Sequence, residues 1–206
     1  MKLRSIFTLI LLVTLLILAI FGVRAYIAPT ETPVLPGVVS MPDKLQSTYE
    51  DVALGISVRY PIGYIVDSHY SYQALGPSRN IGGVKLGIPP EMATGTNLSS
   101  DSYLSIEEIS LTTNCDADMF LDQVKSESVM DNNMQYSIAS SSGAGAGNRY
   151  EEIVYALPGT NPCKAVRYFI HYGVIENYPV GVVRAFDRKQ LLEQFDAIRH
   201  SLLVVQ

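Results

Sequence analysis

Residues 163–173, CKAVRYFIHYG, gather a thiol, a guanidinium and an imidazole into one short apolar run. A cysteine nucleophile needs a base within about 3 Å to take its proton. Read as a strand, Cys163, Ala165, Arg167, Phe169 and His171 share one face, and Val166, Tyr168, Ile170 and Tyr172 share the other. At the rise of an extended chain, Cys163 and His171 stand about 26 Å apart, and Arg167 and His171 about 13 Å. No dyad forms along this stretch. It reads as a structural strand, with Cys163 at its start placed to pin a neighbour. His69, in the polar turn DSHYSY, and His200, beside Arg199 on a charged helical face, remain as bases for Cys163 or for the only other cysteine, Cys115. Lone histidines in such settings are ordinarily solvated.

The other chemical candidates are weaker. SSGAGAGN (141–148) resembles a phosphate-cradling glycine loop, but such a loop must open a helix, and the following RYEEIVYAL has the pattern of a strand. A hairpin turn is the simpler reading. DADMFLD supplies Asp116, Asp118 and Asp122. A calcium loop would need glycine at its sixth position, where Leu121 stands, so these acids read as complements to a helix dipole. Glu107-Glu108 and Glu151-Glu152 are adjacent on strands, so the members of each pair point to opposite faces and make no two-carboxylate site alone. GxSxG, HExxH and SxxK do not occur, and NLS (97–99) is a glycosylation acceptor only in a host that has the machinery. No catalytic, cofactor or metal residue is assigned.

The two cysteines read differently once the N-terminus is considered. Between Arg4 and Arg24 lie 19 uncharged residues, 5–23, about 28 Å of helix and so the thickness of a bilayer core. Lys2 and Arg4 precede this segment and only Arg24 follows. That bias puts the N-terminus inside and the remainder outside the cytoplasm, with the lipid bilayer as partner through residues 5–23. Cleavage after Ala25 as a secretory signal is the alternative, and it also implies export. The absence of a cysteine after the apolar run excludes a lipoprotein anchor. In an oxidising compartment Cys115 and Cys163 read as one disulfide. From Ala25 onward 12 basic residues face 20 acidic ones, a net charge of −8. Such a chain, without a basic run, is a poor ligand for nucleic acid or anionic lipid.

These features imply three parts: a signal-anchor over 1–24, a Pro-rich linker over 25–47, and an exported domain over 48–206. Prolines 29, 33, 36 and 42 keep the linker extended. In the domain, strands are expected over 52–61, 63–67, 70–75, 83–88 and 103–111, in two strands within 134–157, and over 163–173. A short helix is expected after Asp116, with Phe120, Leu121 and Val124 on one face. A longer helix closes the chain. Asp187 is its N-cap with Gln190 three residues on, and Phe186 and Leu191 form a staple. Leu191, Phe195, Ile198 and Leu202 make its buried stripe, and Lys189, Glu193, Asp196 and Arg199 face water. The expected fold is α+β, an antiparallel sheet flanked by helices.

GISVRYPIGYIVD and FDAIRHSLLVV resemble the boundaries of PsbP-like domains, and the domain is similar to small membrane-anchored bacterial envelope proteins. The resemblance implies an α+β sandwich with a non-enzymatic assembly or stabilising role and carries over no catalytic residue. The function expected is therefore a single-pass anchored, extracytoplasmic binding or structural module of the cell envelope, with an envelope protein as possible partner. An envelope hydrolase assembled from distant residues is the rival, since thirteen tyrosines could line a ligand groove. A small-ligand or metal carrier is a third reading.

Overall fold

A computed structural model describes residues 45–76, 78–110 and 114–205. The expected membrane segment 5–23 and the linker up to residue 44 lie outside them. No helix among the described residues is long and apolar enough to cross a membrane.

The domain is mostly antiparallel β-structure in two sheets, which corrects the α+β expectation. The strands are β1 (Ser47–Asp51), β2 (Ile56–Tyr60), β3 (Ile65–Tyr72), β4 (Ile81–Gly87), β5 (Tyr103–Ile109), β6 (Glu127–Asp131), β7 (Met134–Gly145), β8 (Asn148–Ala156), β9 (Cys163–Gly173) and β10 (Leu203–Val204). A small sheet has the order β1-β2-β10, and a seven-stranded sheet the order β3-β4-β5-β9-β8-β7-β6. Helices are few among the described residues: a single turn, α1 (Pro90–Ala93), and the 13-residue α2 (Arg188–His200).

The short helix expected after Asp116 is only a three-residue 3-10 turn, Ala117–Met119. Asp116 makes no capping hydrogen bond, and Gln123 sits at φ 57°, a left-handed conformation no helix continues through. Phe120 and Leu121 are buried as expected, but they plug a loop. Local spacing over so few residues does not separate the two outcomes.

One face of the large sheet carries the main core. Val84, Leu86, Leu104, Ile106, Val166, Tyr168 and Ile170 pack there with Ile56 and Val58 of β2 and with Leu191, Phe195 and Ile198 of α2. The Asp187 side chain accepts from the Gln190 amide at 2.9 Å, as the capping pattern predicts. The opposite face holds a second cluster, in which Cys115, Ala117, Phe120 and Leu121 cover Cys163, Ala165, Val154, Ala156 and Ala139. Since β9 is covered on both sides, its sequence reads as a nearly continuous apolar run rather than an alternation.

Two hairpins extend the sheet beyond β9. Asn132 and Asn133 turn β6 into β7 at φ 49° and 62°, and Ala146 and Gly147 turn β7 into β8 at φ 49° and 80°. Both are two-residue turns with positive φ at each position, the geometry that matches strand twist. The run SSGAGAG is thus largely strand, and only its last two residues form the turn.

Candidate functional site

The question raised by β9 has a structural answer. Cys115 and Cys163 are joined, with Sγ atoms 2.10 Å and Cα atoms 5.1 Å apart, and no cysteine is free. The chain has no thiol nucleophile to activate. The histidines are engaged elsewhere. His171 Nδ1 lies 2.8 and 2.9 Å from the Asp101 carboxylate, with its ring stacked on Tyr150 at 4.5 Å. His200 Nε2 lies 2.9 Å from Asp131. The His69 ring lies 3.4 Å from the hydroxyl of its neighbour Ser68, and its backbone amide donates to Asp67 at 3.0 Å. The buried Nε2 of His171 has no hydrogen-bond partner among the described residues, so no hydroxyl is set against it.

Arg167, the middle residue of the opening stretch, lies at the centre of a buried ion cluster. β5 and β8 flank β9, and each directs one glutamate inward. Arg167 donates from Nε to Glu107 at 2.7 Å, from Nη2 to Glu107 at 2.9 Å and to the Phe120 carbonyl at 2.8 Å, and from Nη1 to Glu152. The Tyr72 ring lies 3.6 Å from the guanidinium carbon, and the Tyr72 hydroxyl donates to Glu152 at 2.9 Å. Arg167 and Glu107 are almost completely buried. Burial alone would lower the Arg167 pKa, but Glu107, Tyr72 and Glu152 outweigh it, so the value is raised and the cation persists. Tyr103, pushed up to about 12 mainly by burial, also stays protonated. Every partner in this cluster is satisfied and the plug 114–124 covers it. Its chemistry is to hold the plug on the sheet.

Glu107 and Glu152 come from the two sequence pairs judged unable to form a site alone. Within each pair the members do point apart: Glu108 binds Lys164 at 2.6 Å, and Glu151 binds Arg188 at 2.6 Å. The cross-pairing of one glutamate from each depends on strand order, which no single stretch encodes.

On the opposite face Arg199 departs from expectation. Its place on the charged stripe of α2 predicted exposure, yet it is 2 % exposed. The guanidinium lies between Tyr136 and Tyr155, 4.6 and 4.1 Å from their ring centres, and bonds Asp196, Tyr168 and Asp131. Hydrogen bonds from Arg199, then from His200, hold the Asp131 carboxyl below its ordinary value of 3.8. A depressed folded-state value means this contribution is complete above the unfolded-state pKa and is lost as pH falls through the folded one, below about pH 4. In urea unfolding followed across that range, the acid-induced fall in midpoint is expected to be smaller for D131N than for the unaltered chain. An equal fall would show that Asp131 does not take part.

The aromatic residues are used for packing. Tyr70, Tyr103, Phe169, Tyr150 and His171 form a row across the second face, with ring centres 4.5–6.4 Å apart. Tyr103 and Phe169 are stacked at 4.9 Å, so these two rings turn their faces to each other. Asp122 of the acidic stretch pairs with Arg79 at 3.5 Å, and no group of three or more metal-ligating side chains occurs among the described residues.

A cleft of about 630 Å³ with free polar groups lies at the outer end of the β7–β8 hairpin, within the range of ligand pockets. The small-residue run creates it. Ser140, Ser142 and Ala144 occupy the main-core face of β7, opposite Ile153, Glu151 and Arg149 of β8, and their short side chains leave a low floor. Tyr172 and Arg188 close the inner wall. Glu151 is held by the Tyr172 hydroxyl at 3.0 Å and by Arg188. Arg149 is exposed, and neither it nor the hydroxyls of Ser140 and Ser142 makes a hydrogen bond or ion pair among the described residues. Glycine-loop templates could not find this cleft, because its signal is a strand of small residues rather than a turn.

The fold and site define an antiparallel β-domain with a disulfide-pinned plug on one face and an open polar cleft at one end. No family model matches the chain, and no curated protein matches it.

Proposed function

We propose that the chain is a single-pass, membrane-anchored extracytoplasmic protein whose β-domain is a non-enzymatic binding module of the cell envelope. The anchor reading rests on the uncharged stretch 5–23 and the basic bias before it. The buried cystine suits an oxidising compartment. The observation that carries the binding reading is the cleft over β7, where Arg149 and two serine hydroxyls make no hydrogen bond or ion pair among the described residues while Glu151, Arg188 and Tyr172 hold one another in place. A prearranged wall beside uncommitted donors suits recognition of an anionic or hydroxylated group. Neither His171–Asp101 nor His200–Asp131 has a hydroxyl or thiol bonded to its imidazole among the described residues, so neither pair favours a hydrolase.

The test uses full-length protein in detergent and envelope fragments washed free of lipid. The protein should sediment with the fragments. R149E is expected to lower retention at least tenfold and leave the unfolding midpoint unchanged, because Arg149 is exposed and unpaired. Equal retention of both proteins would sink the reading. Release of the chain from intact membranes by alkaline carbonate would remove the anchor.

A further inference from the structure

The segment between β9 and α2 turns apolar side chains outward. Residues 177–183, NYPVGVV, lie between Glu176 and Arg184 and carry no charge. The Val182 amide donates to the Pro179 carbonyl at 3.1 Å and closes a four-residue turn. Gly181, at φ 80°, supplies the positive dihedral that the third position of such a turn needs. Val180 stands fully exposed at the tip, Val182 is 62 % exposed, and Tyr178 beside them is also exposed. Both feet of the loop are pinned. On one side the Val174 amide and the Asn177 side chain donate to the Gly147 carbonyl at 2.9 and 3.1 Å. On the other the Arg184 amide donates to the Gly95 carbonyl at 3.1 Å, and the Arg184 carbonyl accepts from the Asn97 amide at 3.0 Å. The apolar tip is therefore held out rather than folded back.

The chain enters the domain at the same end. Leu45 is the first described residue; its carbonyl accepts from the Arg59 side chain at 2.8 Å, and the Gln46 amide beside it donates to Tyr60 at 3.1 Å. From Tyr60 the chain turns through Pro61, Ile62 and Gly63 onto Pro89, which a Cβ at Gly63 would meet at 3.3 Å. Pro89 leads into α1, and Gly95 just beyond α1 holds Arg184 at the root of the loop. The ladder agrees: Ile65 pairs with Gly87, Gly87 with Tyr103, and Tyr103 with Phe169, towards the end of β9 from which the loop leaves. Ile62 and Ile65 are exposed at this end as well. Val52, another fully exposed valine, lies at the opposite end, where the β1–β2 turn borders Glu108 and Lys164 at the start of β9.

We propose that the tip at Val180 and Val182 inserts into the surface of a neutral lipid bilayer and docks the domain on the membrane. Three features select lipid. A turn carrying two valines is convex and narrow, and it offers far less than the ~800 Å² per partner of a specific protein interface. A bilayer needs no matching surface. The tip has no charge to desolvate, and Tyr178 and Arg184 at its base are residue types that settle at the headgroup level. Arg184 is exposed, and its side chain makes no hydrogen bond or ion pair among the described residues. The entry of the chain at this end keeps the tip within reach of the bilayer that holds residues 5–23, at a raised effective concentration. In this respect the inference rests on the anchor reading above. The acidic balance of the domain disfavours an anionic surface, so the contact is apolar and indifferent to salt.

The test uses the full-length chain reconstituted into phosphatidylcholine vesicles. The native cysteines are bonded to each other, so V180C offers a single thiol for a polarity-sensitive dye, and V52C is the control at the other end. Both valines are fully exposed, so neither change disturbs the core. Nitroxide-bearing lipid should quench the dye at position 180 about threefold more than at position 52, with blue-shifted emission at 180 alone. Added salt should change neither. Equal quenching at both positions, or none at 180, overturns the insertion. A dye at 180 that shifts in native membranes but not in pure lipid overturns it too, because a protein would then cover the tip. A chain that stays in vesicles through alkaline carbonate without quenching at 180 keeps the anchor and rejects the docking. Quenching at 180 in a chain that carbonate releases does the reverse.

Discussion

Replacing Arg167 with methionine is expected to destabilise the domain by about 4 kcal/mol, the usual cost of removing one member of a buried ion pair. The side chain sits between Glu107 and Glu152 and also satisfies the Phe120 carbonyl. Methionine fills much of the volume but leaves one carboxylate fully buried, a second partly buried, and an orphaned carbonyl beneath the plug. The loss comes from those groups rather than from any net worth of the intact cluster. A control separates the two: E107L/R167M should lose less than R167M alone, because the most deeply buried unpaired charge is gone. Denaturant unfolding measures both. A loss below about 1 kcal/mol for R167M would mean that water reaches the cluster.

Removing the disulfide with C115A/C163A is expected to lower stability by about 4 kcal/mol in the loop-entropy treatment, for a sequence separation of 48. The crosslink joins the start of β9 to the base of the plug, and Phe120 and Leu121 pack just beyond it. The double variant should retain the large sheet, whose ladder β5-β9-β8 does not depend on the bond. Backbone amides at 115–124 should exchange with solvent far faster. Unchanged exchange there would show that Phe120 and the Arg167 cluster hold the plug unaided.

What was legible in the sequence was local. β9 could be read from its unbroken apolar run, α2 from the Asp187 cap and its buried stripe, and the cystine from two cysteines behind an apolar leader. Short, weakly patterned strands were not legible: β6 is one-sided and half exposed, and β10 has two residues. Overlooking β6 also misplaced Arg199, whose partner Asp131 ends that strand. The overstatement of helix came from ADMFLDQV, where buried residues at helical spacing belong to a plug that the disulfide and the Ser137 hydroxyl, accepting from the Ala117 amide at 3.0 Å, tie to the sheet. The Arg167 cluster required the order β5-β9-β8, and sequence spacing carries none of that. The cleft left a sequence mark, the small-residue run, which acquires meaning only when a large residue stands on the adjacent strand.

The depth of the cystine fixes when it must be made. Cys163 is fully enclosed and Cys115 nearly so; once the plug has closed, neither an oxidase nor a reductant in the surroundings can reach them. The thiols therefore meet their oxidant only while the plug is open. A molecule that closes without the bond keeps a looser plug, and each opening of that plug offers the thiols to oxidant again, so closure and crosslinking reinforce each other.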